Sequence, residues 1–217
     1  MDHMNNASGT RGADRSLPVG GGGSEPSEAA DCLPVRLPFI QFTGEIFRAI
    51  DWRWVMLPPV LLACEFVAVY SLRGFGRHLI GPFETVALIV LWAAVGAAFL
   101  RLVVQRRVFF GWLTVFAAAL MFREYHLMKS STTILYLTVG LLGFVAWYAY
   151  PVLSPYLRGR RVMTLLAMVG MCYLLTQTLD FDVFKEGHVI FSVTEEIMEV
   201  TGHCFVLLLS LTAKPAA

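Results

Sequence analysis

Six stretches of the chain are apolar over about the 17–25 residues that a helix needs to cross ~30 Å of hydrocarbon. They fall near residues 54–72, 83–104, 108–122, 132–150, 162–178 and 195–212. The third is short unless it extends to His126, and the first carries Pro58-Pro59, which delays or kinks its helix. Ahead of them, Phe42, Ile46, Phe47, Ile50 and Trp54 recur at helical spacing, with Glu45, Arg48, Asp51 and Arg53 between. That pattern predicts an amphipathic helix over 39–53 lying at the membrane interface, with Trp52 and Trp54 in the aromatic belt.

Residues 1–38 contain Gly20-Gly21-Gly22-Gly23-Ser24 and several Pro, Asn and Ser, too few apolar groups to offset the cost of ordering. They are expected to form a disordered cytoplasmic tail. The tail lacks a basic segment followed by an apolar one, so the first span is expected to serve as the insertion signal. The expected architecture is all-α: a polytopic transmembrane bundle of about six spans over 54–213, preceded by the interfacial helix.

Composition agrees. Of the 217 residues, 57% are hydrophobic and 15% charged, with a mean hydropathy of +0.64, more than a soluble core requires. Seventeen Lys and Arg against sixteen Asp and Glu leave no basic patch, which excludes nucleic acid as an expected partner. Cys32, Cys64, Cys172 and Cys204 have neither C-x-x-C nor zinc-ribbon spacing and read as small apolar fillers, Cys204 beside His203 being the exception.

Charge sets the expected orientation. Arg101, Arg106 and Arg107 fall between the second and third spans, and Arg158, Arg160 and Arg161 between the fourth and fifth, with no acid in either loop. The positive-inside rule places both loops and both termini in the cytoplasm, as in a bacterial inner membrane. Every acid from Glu84 onward then falls on the outer side: Glu84, Glu124, Asp180, Asp182, Glu186, Glu195, Glu196 and Glu199. His78, His126, His188 and His203 fall there too.

Three helix ends could therefore converge. The last span opens Thr194-Glu195-Glu196-Ile197-Met198-Glu199-Val200-Thr201-Gly202-His203. At ~100° per residue Glu196, Glu199 and His203 share an arc of roughly 60°. Ionisable groups inside a span are costly unless they face a cavity or a partner. Carboxylate and imidazole on one helical face suit zinc, iron or manganese. Glu199, His203 and His126 are thus the candidate metal ligands, and Glu196, Glu124 and Asp180 the candidate catalytic acids or bases. The simpler account makes Glu195 and Glu196 acids of the first helical turn after a Ser192 cap, which suits Glu195 and fails for His203. Arg123-Glu124 could be a solvated terminal pair, and Asp180 and Asp182 loop acids. Glu65, about midway along the first span, is a buried neutral acid or part of a proton path.

This gathering of acids and histidines at outer helix ends resembles the alkaline ceramidase and adiponectin receptor class of metal-dependent membrane hydrolases. Glu199-x-x-x-His203 occupies the spacing at which that class carries paired histidines, and six spans are counted here rather than seven. The resemblance implies metal-assisted hydrolysis and transfers no residue role. The leading expectation is accordingly a metal-dependent enzyme acting on a lipid or other membrane-borne substrate, its metal activating a water. The rivals are a transporter or proton-coupled subunit using Glu65 and the outer acids, and a non-catalytic assembly factor that docks a protein partner through the N-terminal tail.

Overall fold

The structure, a computed structural model, describes residues 38–71, 76–124, 131–179 and 189–216. The expected tail over 1–38 lies outside these residues, Pro38 excepted. Every regular element among them is an α-helix: α1 Phe39–Ala49, α2 Trp52–Val55, α3 Leu57–Ser71, α4 Gly76–Gln105, α5 Val108–Glu124, α6 Ser131–Tyr148, α7 Tyr150–Leu157, α8 Arg160–Leu179 and α9 Val189–Thr212.

The runs Trp52–Ser71, Gly81–Gln105 and Arg160–Leu179 are each long and apolar enough to cross a membrane, and α6 with α7 adds a fourth if that pair, bent by 101°, counts as one span. These are three or four of the six expected. α5 is short at 17 residues, and α9 carries Glu195, Glu196 and Glu199. Lipid-facing chemistry extends across the surface nonetheless. Ile89, Trp92, Phe99, Leu100 and Val103 of α4 and Leu137, Leu141 and Phe144 of α6 are all exposed, rows that a bilayer solvates and water does not.

The opposite face of α4 explains how the bundle closes. Ala87, Leu91, Ala94 and Ala98 are fully buried at helical spacing, and the three small alanines let α9 lie close along α4. On its other side α9 packs on α8. Gly202 makes this contact close: a Cβ at that position would stand 3.2 Å from the Cβ of Cys172.

One end of the bundle is aromatic and basic. Arg101 on α4 donates to the carbonyl oxygens of Ser210 at 3.0 Å and Ala213 at 2.5 Å, closing the C-terminus of α9, while its guanidinium lies 4.1 Å above the Phe110 ring. Tyr156 of α7 stacks on Phe109 at 4.4 Å. α1 docks here through Phe42, whose ring meets Tyr150 edge-on at 5.2 Å, and the Tyr150 hydroxyl donates to Glu45. Asp51 accepts from the Arg53 backbone N–H at the start of α2 and pairs with Arg160 at 3.0 Å.

Two boundaries differ from expectation. The amphipathic helix stops at Ala49, and Trp52 onward belongs to the first span. α9 begins at Val189 rather than near residue 195, because Val189-Ile190-Phe191 continue its apolar face. Ser192 therefore lies inside the helix and does not cap it, and Glu195 and Glu196 are not first-turn acids.

Candidate functional site

Helix lengths set the depth of the polar groups. α5 has 17 residues and α9 has 24, or about 26 and 36 Å at ~1.5 Å per residue. Both start or finish near the arginine-rich end, where α4 turns into α5 and Arg101 holds the end of α9. The last turn of α5 lies beside the middle of α9. Arg123 and Glu124, the final residues of α5, meet Glu199 and His203 there instead of emerging at a surface.

Arg123 Nη2 donates to Glu199 Oε1 at 2.6 Å, and the two side chains are 10% and 8% exposed. His203 is fully buried, its Nε2 3.3 Å from Glu124 Oε1. That approach is close enough for an ion pair but not aligned as a hydrogen bond, so both atoms remain without a hydrogen-bond partner. Tyr173 of α8 completes the group, with the Arg123 guanidinium 5.4 Å from its ring and the imidazole 5.9 Å away on another side.

Five buried polar atoms in this cluster have no hydrogen-bond partner among the described residues: Arg123 Nη1, Glu124 Oε1, Tyr173 OH, and His203 Nδ1 and Nε2. Each such group costs about 1–3 kcal/mol if left unsatisfied. Donors and acceptors left open together make a place for water or a small polar ligand. Charge counting adds a second constraint. With both carboxylates ionised and the imidazole neutral, one guanidinium would leave the cluster one positive charge short, and uptake of one proton would balance it. In an apolar interior that balance matters far more than it would in water.

The structure thus brings together Glu124, Glu199 and His203 from the expected set. Glu196 is half-buried one turn earlier, within electrostatic reach of Glu84 and Glu124. His126 and Asp180 lie outside the described residues, as do Asp182, Glu186 and His188. Among the described residues no three of His, Cys, Asp and Glu gather as a metal-ligand set, and Arg123 already occupies a Glu199 oxygen.

Two members were not anticipated as part of the site. Arg123 pairs across helices with Glu199 and not with its neighbour Glu124; a lone cation at the end of the apolar run Val115–Phe122 was the available signal. Tyr173 gave none, being one aromatic residue in an apolar helix. Nearby on α3, Glu65 buries an unpartnered Oε2 and is electrostatically linked to Cys172, the residue before Tyr173. Tyr173 also walls a cavity of about 260 Å³ between α5, α6 and α8, which Tyr136 and Gln177 bridge at 2.7 Å.

No family model, curated protein or solved structure matches the chain.

Proposed function

We propose that this chain is a proton-coupled integral membrane protein, a transporter or a subunit of one, whose proton-exchanging centre is the Glu124–His203 pair held by Arg123–Glu199. One observation carries the reading: a buried cluster of one guanidinium, two carboxylates and an imidazole, in which both imidazole nitrogens and a facing carboxylate oxygen lack hydrogen-bond partners among the described residues. Histidine exchanges protons near neutral pH, and carboxylate–histidine chains inside spans are a recurring form of proton relay. Tyr173, Cys172 and Glu65 extend polar groups from this centre toward α3. Exposed Arg106, Arg107, Arg158, Arg160, Arg161 and Lys214 at one end support an inner-membrane orientation with that end and both termini cytoplasmic.

The test is potential-driven proton flux into liposomes loaded with a pH-sensitive dye. The wild-type chain should carry protons above protein-free liposomes. His203→Gln and Glu124→Gln should each reduce the flux at least tenfold while the protein still elutes as a folded species. Flux indistinguishable from protein-free liposomes, or unchanged in both variants, would overturn the proposal.

A second reading, a metal-dependent hydrolase of lipid or another membrane-borne substrate, draws on the two unpartnered ligand atoms facing each other at 3.3 Å, His203 Nε2 and Glu124 Oε1. A zinc, iron or manganese ion there would need His126 or Asp180 as further ligands, since Glu199 is engaged by a cation. Stoichiometric metal that disappears in His203→Ala would favour this reading over the relay.

A further inference from the structure

A second cavity lies at the opposite, basic end of the bundle, remote from the proton-exchanging cluster. It is an open cleft of about 590 Å³ between α2, α3, α8 and α9. Arg160, Arg161, Asp51 and Trp54 form its mouth, and apolar side chains including Met168 and Leu208 form its walls. The Arg160 guanidinium is paired with Asp51 at 3.0 Å. Arg161 is exposed and has no ion-pair partner among the described residues, so the mouth keeps one uncompensated positive charge. From Arg160 to Met168 the wall descends eight residues of α8, about 12 Å at ~1.5 Å per residue.

A charged mouth above a deep apolar slot is complementary to a molecule with an anionic head and a hydrocarbon tail. A free anion would leave the walls uncovered, and a zwitterionic lipid would gain little from the unpaired charge. Trp54, half in the mouth and amphipathic, suits the headgroup level of a bilayer. Basic pockets between spans on the cytoplasmic side are a recognised form of headgroup site.

We infer that this cavity binds one anionic phospholipid, with its phosphate at Arg161 and Arg160 and an acyl chain between α3, α8 and α9. The lipid replaces bulk bilayer along the lower half of α9, the helix that carries Glu199 and His203. The site stands independently of the function proposed above.

Trp54 provides the readout. In phosphatidylcholine bilayers containing increasing mole fractions of phosphatidylglycerol brominated on its acyl chains, the fluorescence component lost in Trp54→Phe should be quenched at a lower fraction than with brominated phosphatidylcholine. Arg161→Gln should shift that midpoint about fivefold upward, the worth of one basic residue at a headgroup, and leave quenching by brominated phosphatidylcholine unchanged. Leu208→Phe, which fills the slot without altering charge or adding a tryptophan, should weaken quenching by the brominated phosphatidylglycerol. Equal quenching by the two brominated lipids, or a midpoint indifferent to Arg161→Gln, would overturn the inference. So would binding of inorganic phosphate alone to the detergent-solubilised protein with the same Arg161 dependence, since the tail would then be dispensable.

Discussion

Arg123 and Glu199 meet at 2.6 Å in the middle of the bundle, joining the last turn of α5 to the centre of α9. The pair explains how Arg123 can lie at that depth. The cation is neutralised by a carboxylate from the neighbouring helix, and its guanidinium lies over Tyr173. It also holds the Glu124 carboxylate against His203, because Glu124 follows Arg123 in the same turn.

Breaking that pair from one side leaves an uncompensated buried charge. Arg123→Gln should therefore destabilise the protein by about 3–5 kcal/mol, whereas Arg123→Gln combined with Glu199→Gln should cost less than the sum of the single changes. Unfolding by a denaturing detergent titrated into mild micelles measures all three variants. Strictly additive costs would show that the two side chains do not interact.

Arg101 should be irreplaceable by lysine. Its planar fork reaches two carbonyl oxygens at the end of α9 at once and lies over Phe110, and a lysine retains the charge but not the fork. Arg101→Lys is expected to cost about 1–3 kcal/mol. Amide exchange should rise over residues 208–213 and stay unchanged at the start of α9.

Gly202 sits where α8 and α9 approach closely: a Cβ there would lie 3.2 Å from the Cβ of Cys172. Alanine there gains about 1 kcal/mol of helix propensity against a contact that yields by a few tenths of an ångström, so Gly202→Ala should be near neutral. Gly202→Val forces the helices apart and should cost about 1–3 kcal/mol. The same detergent titration distinguishes them, and equal stability of the two variants would disprove the close approach.

The docking of α1 should depend on pH. Tyr150 donates a hydrogen bond to Glu45, which with the Arg158 guanidinium at 3.2 Å holds the Glu45 carboxyl below its ordinary 4.5. A carboxyl with a lowered folded-state pKa contributes stability above 4.5 that is lost as pH falls below it. Limited proteolysis within residues 39–49 should accelerate as pH falls below 4.5, and Glu45→Gln should be equally susceptible at every pH. A wild-type rate independent of pH would show that the contact does not secure α1.

Much of the fold was legible because it rests on local periodicity. The apolar runs became helices, Phe42 and Ile46 faced the core from an amphipathic α1, and Glu199 and His203 shared the buried side of one helix. What was not legible depended on relative depth. Nothing in Arg123-Glu124 shows that these residues lie beside the centre of α9, so the pair looked like a solvated terminus and the true partner of Arg123, 76 residues away, could not be read. The start of α9 was misplaced for a related reason: acids signal a helix beginning only when they are solvated, and these are partly or wholly buried.

By itself the sequence determined that the chain is helical and apolar enough for a bilayer, which positions carry ionisable groups, and which of them share a helical face. All of these follow from the period of the α-helix and the cost of placing charge in hydrocarbon. Only the tertiary structure decided which charges meet. Pairing between helices depends on where each begins and how closely small residues such as Gly202 and Ala94 let them pack, and those quantities belong to the assembled bundle.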